Sequence, residues 1–261
     1  MSKHILFFDS GVGGLSVLEE TRRLNPYYCY SYLFDNHCFP YGELSEAALL
    51  KRVATLLDAA AARLAPNLVV IACNTASTIV LPVLRRHLSV PVVGVVPAIK
   101  PAAKLSANRH IGLLATPGTV KRTYTEALIN EFAADCRIEF LGSTRLVELA
   151  EMKLAGESLD YRREVTEIVK PWSTLSSLDC VVLGCTHFPL LKEEVTQALG
   201  GRVSCVDSGE AIARRVASLL PDASSSAVSP ILHAYATKAV DQRLVERGLA
   251  KYGFNHIQLF N

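Results

Sequence analysis

Short apolar runs alternate along the chain with stretches whose apolar residues repeat at helical spacing. The runs are rich in β-branched and aromatic residues and have the length of strands, so strands are predicted at residues 4–8, 28–34, 68–72, 91–96, 110–114, 137–141, 180–184 and 202–206. A helix is predicted between the second and third of these, where an apolar stripe runs through Leu49, Val53, Leu56, Leu57 and Leu64. This alternation predicts an α/β fold with parallel sheets.

The first four predicted strands match the last four in order and spacing. HILFFDSG at residue 4 corresponds to HIGLLATPG at residue 110, VPVVGVV at 90 corresponds to GRVSCVD at 201, and Cys73 corresponds to Cys185. Such a duplication predicts two similar α/β domains, residues 1–98 and residues 99–207. The tail, 208–261, can pack on either domain. If the chain crosses between the domains a second time, the tail returns to the first domain. One continuous sheet is the alternative.

Polar residues follow several of these strands at their carboxyl ends, where open parallel sheets bind ligands. They form four clusters: Asp9 with Ser10, Cys73 through Thr75, Thr116 through Thr119, and Cys185 through His187. If the two domains face each other, all four clusters line one cleft. We therefore expect the active site in that cleft, with the two cysteines on opposite walls.

The composition of the chain excludes several classes of function. The chain has 261 residues, half of them hydrophobic, and a formal net charge of +2. It should therefore bury a large core, and it has no polybasic patch for nucleic acid or a membrane surface. No signal-peptide core precedes Asp9, and no apolar run reaches the ~20 residues of a spanning helix, so a cytoplasmic location is expected. The seven cysteines are odd in number and form no CxxC pair, which argues against disulfides and a structural metal.

Two loops leave alternatives open. The segment DSGVGGLSV, residues 9–17, lacks the third spaced glycine of a dinucleotide loop and the lysine of a P-loop. It is either a tight turn that needs glycine, or a turn whose backbone N–H groups also hold a carboxylate; Asp9 would then bind an ammonium group or orient a base. In FPYGE, residues 39–43, Tyr41 and Gly42 are either packing elements or ligand contacts.

The two strand-end cysteines occupy similar local settings. Cys73 directly precedes a predicted helix start, where positive potential lowers the pKa of a thiol. That helix is expected to be kinked or to begin late because of Pro82. Cys185 repeats the arrangement, with His187 two residues away and Pro189 in the first turn of the following helix.

Two opposed thiols suit one kind of chemistry best. A Cys–His hydrolase would leave the second cysteine idle, and a cysteine phosphatase would need an arginine after its cysteine. A redox pair would have to span a ligand cleft. Stereoinversion needs two acid/base groups of one type on opposite faces of a carbon atom, and a thiol pKa near ~8.5 suits proton transfer. No motif requires a metal or an organic cofactor.

Four ordered motifs, FDSGVGGLSV, PYG, VIACNTAS and VLGCTHFPLL, resemble those of the bacterial glutamate racemases, in the cofactor-independent aspartate/glutamate racemase superfamily. The resemblance covers nearly the whole chain and is closest to the gamma-proteobacterial branch. It implies two flavodoxin-like domains and interconversion of L- and D-glutamate, which supplies D-glutamate for peptidoglycan.

Carried over by position, the resemblance assigns acid/base roles to Cys73 and Cys185, the first deprotonating D-glutamate and the second L-glutamate. Asp9 and His187 become auxiliary groups, together with Glu151, although Glu148 is a close alternative. The residues implied in substrate binding are Asp9, Ser10, Tyr41, Gly42, Asn74, Thr75, Thr116, Thr119, Thr186 and His187.

The resemblance also sets the expected partners. Some relatives in the branch need UDP-N-acetylmuramoyl-L-alanine as an activator, so activation is one expectation here. A homodimer is another. Two rival functions stay open: a racemase of the same superfamily that acts on aspartate or another small acid, and a catalytically silent binding module.

Overall fold

The computed structural model describes residues 3–220 and 231–260 and has two parallel sheets. Sheet A contains β1 (His4–Asp9), β2 (Cys29–Phe34), β3 (Leu68–Ile71), β4 (Val92–Gly94), β9 (Leu232–Ala236) and β10 (Ile257–Leu259), in the order β10-β9-β2-β1-β3-β4. Sheet B contains β5 (His110–Ala115), β6 (Arg137–Gly142), β7 (Cys180–Leu183) and β8 (Ser204–Val206), in the order β6-β5-β7-β8. All neighbouring strands pair in parallel. The predicted α/β fold is confirmed, and the alternative of one continuous sheet is wrong.

Ten α-helices of the described chain surround the sheets. They are α1 (Leu15–Leu24), α2 (Glu46–Leu64), α3 (Asn74–His87), α4 (Ile99–Leu105), α5 (Pro117–Val120), α6 (Thr123–Phe132), α7 (Arg145–Leu154), α8 (Tyr161–Val169), α9 (Lys192–Ala198) and α10 (Gly209–Leu219). Short 3-10 turns cover Tyr41–Glu43, Lys170–Trp172, Phe188–Leu191 and Leu249–Tyr252, and a π-helical turn covers Leu244–Gly248.

The central strands of each sheet are buried on both faces. Along β1, Ile5 and Phe7 pack into the core on one face, and Leu6 and Phe8 pack into the core on the other. Successive side chains of a strand point to opposite faces, so a strand covered on both sides must be apolar throughout. That is why the sequence shows unbroken apolar runs here and not an alternating pattern.

Helix α2 forms as its apolar stripe predicts. Four of the five stripe residues are buried against sheet A, and Leu64 is partly buried in the same core. The Ser45 side chain accepts a hydrogen bond from the amide of Ala48 and caps the first turn. The helix ends at Leu64, and the next residue, Ala65, has a φ of 43° in the left-handed region.

Helix α3 differs from its prediction. It begins directly after Cys73 and continues through Pro82 to His87, so the expectation of a late start is wrong. The proline removes the N–H that the carbonyl of Thr78 would accept. Val80, Leu81 and Leu84 are buried on sheet A, and this packing holds the helix in place despite the lost bond.

The tail returns to sheet A, where β9 pairs with β2 and β10 pairs with β9. Helix α10 packs against α1 on the same sheet. The predicted strands omitted β9, with the sequence LHAYA, and β10, with the sequence IQL, because neither forms a run of large apolar residues. Residues 221–230 and 261 of the predicted tail lie outside the described residues. The domain limits, 1–98 with 208–261 and 99–207, stay a prediction.

Candidate active site

The carboxyl ends of both sheets face one small cavity. Asp9 and Cys73 reach it from sheet A, and Thr116 and Cys185 reach it from sheet B. The predicted site residues that line it are Asp9, Ser10, Tyr41, Gly42, Cys73, Asn74, Thr75, Thr116, Cys185, Thr186 and His187. Thr119 and Glu151 lie behind them, in contact with residues that line the cavity.

Cys73 is the residue that precedes helix α3, and it is buried. Its Sγ lies 3.9 Å from the Oγ of Ser10. Burial raises the pKa of the Cys73 thiol well above its ordinary value, and the charge of Asp9 adds to this, while the amide of Ala76 acts in the opposite direction. The helix start acts to lower this pKa, as expected, but desolvation outweighs it, so the expectation of a lowered thiol pKa is wrong.

Cys185 has a different setting from Cys73. The chain after it forms the 3-10 turn Phe188–Leu191, and α9 begins only at Lys192, so the predicted helix start at Cys185 is wrong. Its polar neighbour is His187, whose Nδ1 lies 3.8 Å from the Cys185 Sγ. The duplicated strands thus place both thiols at one cavity but give them different partners.

Behind Cys185, the buried ring of His187 pairs with the partly buried carboxylate of Glu151. The Nε2 of His187 lies 2.7 Å from the Oε1 of Glu151, and the same oxygen accepts the amide of Val12 at 3.0 Å. Burial lowers the pKa of His187, but its bonds to Cys185 and Glu151 outweigh this and raise that pKa well above the ordinary value. The contacts with Glu151 and Cys185 thus favour the protonated form of the imidazole. Glu148, in contrast, is exposed and pairs with Arg145.

The glycine-rich loop after β1 holds the carboxylates of this chain itself. Asp9 accepts the amides of Ser10 at 2.6 Å and Gly14 at 2.5 Å, and Glu151 accepts that of Val12. These N–H groups are therefore engaged without any ligand. The loop needs glycine for close approach, since a Cβ on Gly13 would lie 2.4 Å from the Nδ1 of the His187 ring.

Asp9 is fully buried at the base of the cavity. Burial raises the pKa of its carboxyl to about 6, while His187 and the amides of Ser10 and Gly14 act in the opposite direction. The hydroxyl of Thr186 donates to its Oδ2 at 3.3 Å. Asp9 thus changes its charge near pH 6.

Three threonines form a hydroxyl cluster on one side of the cavity. Thr116 caps α5 by accepting the amide of Thr119, and its hydroxyl donates to the Thr119 Oγ1 at 3.0 Å. The Oγ1 of Thr75 lies 3.3 Å from that of Thr116 and 3.4 Å from that of Thr119. Thr119 is fully buried and supports the other two.

Tyr41 and Gly42 lie on the 3-10 turn Tyr41–Glu43 beside the cavity. The Tyr41 hydroxyl donates to the Oδ2 of Asp35 at 2.8 Å, so it is engaged within the protein. Phe39, which sequence reasoning missed, lines the cavity and packs on the His187 ring at 5.8 Å between centroids. Asp35 was missed too, although its place at the end of β2 fits the carboxyl-end rule.

The cavity lining contains neither lysine nor arginine. Its donors are hydroxyls, backbone amides and the His187 ring. One oxygen of the described lining residues, the Oδ1 of Asn74, is buried with no hydrogen-bond partner. Within residues 3–220 and 231–260, no three His, Cys, Asp or Glu side chains are grouped to hold a metal ion. No helix of that part of the chain is long and apolar enough to cross a membrane.

Known proteins are similar to this chain in both sequence and fold. Residues 16–216 match the family described as Asp/Glu/Hydantoin racemase. Glutamate racemase of Shewanella sp. (strain MR-4) is 52% identical, covering 99% of this chain and 97% of that protein, and that of Vibrio vulnificus (strain YJ016) is 53% identical, covering 98% and 97%. The crystal structure of Escherichia coli glutamate racemase in complex with L-glutamate and the activator UDP-MurNAc-Ala superposes with a TM-score of 0.93, at 49% identity, over 100% of this chain and 98% of that one. The chain therefore belongs to the Asp/Glu/hydantoin racemase family, among its glutamate racemases.

Proposed function

We propose that the chain interconverts L- and D-glutamate by proton transfer between Cα and two thiols, and thereby supplies D-glutamate for peptidoglycan. The observation that carries this proposal is the position of Cys73 and Cys185, which reach one cavity from different sheets. The thiol on one wall can reach one face of a carbon atom, and the thiol on the other wall can reach the opposite face. Identity of 52–53% to curated glutamate racemases over nearly the full chain supports glutamate as the substrate.

The proton balance requires one thiolate and one thiol at the start. With L-glutamate, the Cys185 thiolate removes the Cα proton, leaving a carbanion and a neutral Cys185. The Cys73 thiol then protonates the opposite face, and D-glutamate leaves with Cys73 as the thiolate. The reverse reaction begins from that state, so no redox step or co-reactant is involved.

The auxiliary groups act on the two thiols. The charged His187 ring lies beside Cys185 and stabilises its thiolate, and Glu151 holds that ring in place. Asp9 is the corresponding group near Cys73, because its charge raises the pKa of that thiol. A thiolate with a raised pKa is a stronger base, which favours removal of the weakly acidic Cα proton.

The substrate is held by neutral donors and by two acceptors. The unpaired Oδ1 of Asn74 and the Asp9 carboxylate are placed to accept the α-ammonium group. The hydroxyl of Thr75 is placed to donate to a carboxylate, and Thr116 lines the cavity beside it. The first amides of the turn at Tyr41 have no partner within it, so they are available to the other carboxylate.

The expected setting is the cytoplasm, and all seven cysteines are free thiols, as a reducing compartment requires. Activation by UDP-MurNAc-L-Ala is proposed because the E. coli relative was crystallised with that activator. Racemisation measured with and without the precursor tests activation, and equal rates would exclude it. The homodimer stays a prediction.

The decisive experiment incubates the protein with L-glutamate in D₂O and follows optical rotation and Cα deuteration. Loss of optical activity with deuterium incorporation is expected; absence of both would refute the proposal and favour a silent binding module. Faster reaction with L-aspartate than with L-glutamate would favour the aspartate alternative.

Replacing the thiols tests the assigned groups. Cys73→Ser and Cys185→Ser are each expected to lower kcat by at least about 10²-fold, since each removes one partner of the proton transfer. Cys180→Ser is the matched control, because Cys180 is buried in the sheet B core and does not line the cavity. A double Cys73→Ser, Cys185→Ser variant with a near-normal rate would contradict the mechanism.

A further inference from the structure

Asp35 is a fully buried carboxylate outside the thiol chemistry. It follows β2 directly, and its amide donates to the carbonyl of Asp9 at 2.9 Å, which places it next to the site. It does not line the cavity. A buried charge of this kind is costly unless it is paired and hydrogen-bonded.

Four side-chain hydrogen bonds compensate that charge. Arg52 donates from Nε to Oδ2 and from Nη2 to Oδ1, both at 2.8 Å. Tyr41 donates its hydroxyl to Oδ2 at 2.8 Å, and Thr237 donates its hydroxyl to Oδ1 at 2.6 Å. A carboxylate has about four lone-pair sites, so this set fills them. Although burial opposes it, these bonds lower the pKa of Asp35, which stays ionised.

The four bonds join segments that are far apart in the sequence. Arg52 lies on α2, Thr237 follows β9 in the tail, and Tyr41 lies on the 3-10 turn that borders the cavity. Of these partners, only Tyr41 also lines the cavity. Asp35 therefore connects the body of sheet A to the segment proposed to bind a substrate carboxylate.

We infer that Asp35 and Arg52, with Thr237, form a positioning cluster that fixes the Tyr41–Gly42 turn for binding of the substrate. This inference rests on the proposed function and adds residues to it that touch neither the substrate nor the thiols. The Tyr41 hydroxyl is the link, because it is the group of the turn that Asp35 holds. The tail thus contributes to the active site through Thr237.

The cluster predicts a particular kinetic effect. The turn binds a carboxylate that does not react, so its contact has similar strength in the ground state and in the transition state. Loss of such a contact raises KM and leaves kcat nearly unchanged. A role in folding alone would lower the free energy of unfolding and leave both constants of the folded enzyme unchanged.

The test measures KM and kcat for L-glutamate by circular dichroism, and unfolding by urea, in the full-length chain. Tyr41→Phe removes one hydroxyl and is expected to raise KM about five- to tenfold, the effect of one hydrogen bond, with kcat within about twofold. Arg52→Gln should raise KM more than tenfold. Arg52→Lys should fall between wild type and Arg52→Gln, because an ammonium group keeps the charge but loses the two-point contact.

Arg63→Gln is the matched control on the same helix. Arg63 lies over the rings of Tyr235 and Phe260, at 5.7 and 5.1 Å from their centroids, and does not contact Asp35. Its replacement should leave KM unchanged. An unchanged KM in folded Tyr41→Phe would overturn the inference, and this variant decides the matter even if Arg52→Gln does not fold. A wild-type protein that does not racemise glutamate would instead overturn the proposed function, and this inference with it.

Discussion

Replacing Glu151 by glutamine tests how the Cys185 side of the site works. The Glu151 Oε1 contacts the His187 Nε2 at 2.7 Å, and His187 in turn lies beside Cys185. Glutamine has nearly the same shape but carries no charge. The pKa of His187 should fall, because one of the bonds that raises it loses its charge, and the Cys185 thiolate should be less stable.

The expected loss of kcat/KM follows from the hydrogen bond between Glu151 and His187. A hydrogen bond to a charged group contributes about 1.5–3 kcal/mol, and the lower half applies because 22% of the Glu151 side chain is exposed to solvent. A loss of about 1.5–2 kcal/mol corresponds to a fall in kcat/KM of about 10- to 30-fold. Because the two enantiomers have equal free energies, this fall must be the same in both directions.

Isotope effects reveal which thiol has been weakened. In the proposed mechanism Cys185 removes the deuteron of α-deuterated L-glutamate, so the isotope effect on kcat/KM for that enantiomer should increase in Glu151→Gln. With α-deuterated D-glutamate, Cys73 removes it, and the effect should decrease because protonation by Cys185 has become slower. Racemisation of each enantiomer is followed by circular dichroism.

Glu148→Gln is the matched control for this prediction. Glu148 lies one helical turn from Glu151 on α7, and it is exposed and paired with Arg145 at 2.9 Å. Its replacement should keep kcat/KM within about twofold, as expected for an exposed ion pair. Equal isotope effects in the two directions of Glu151→Gln, or an equal loss of rate in Glu148→Gln, would refute the assigned role of Glu151.

Three further predictions concern Asp9, the glycine-rich loop and α2. The raised pKa of Asp9, about 6, means that its stabilising contribution is complete below its unfolded pKa and is lost as the pH rises through 6. The free energy of unfolding of the wild type, measured in urea, should therefore fall by about 2 kcal/mol relative to that of Asp9→Asn between about pH 4 and 6.5, and parallel pH curves would contradict this. Gly13→Ala should lower kcat at least about tenfold, because its Cβ would displace the His187 ring; an unchanged kcat would exclude that contact. Ser45→Ala should lower the free energy of unfolding by about 1 kcal/mol in urea through loss of the α2 cap, and no change would count against the cap.

The sequence alone determined the fold class and the location of the site. Buried parallel strands must be apolar along their whole length, so they were visible as runs such as 68–72 and 180–184. Ligands bind at the carboxyl ends of such strands, which drew attention to Cys73 and Cys185 before any coordinates were known. The strands β9 (LHAYA) and β10 (IQL) were not predicted because polar residues or alanines interrupt the run of large apolar side chains that marks the other strands.

Only the tertiary structure decided which groups contact each other and how burial changes their charge. The spacing on α7 could not separate Glu148 from Glu151, since the two are one turn apart, whereas the fold places only Glu151 against His187. A helix start at Cys73 suggested a lowered thiol pKa, but desolvation, which depends on the whole packed interior, reversed its direction.

The contacts of Asp35 also could not be predicted from the sequence. Arg52 and Thr237 are far apart in the sequence, and no local pattern connects them to each other or to Tyr41. Their common partner exists because parallel pairing of β2 with β9 brings the tail beside the start of the chain. Local periodicity therefore identifies strands and helices, while contacts between distant residues, and the burial that shifts their pKa values, arise only from packing.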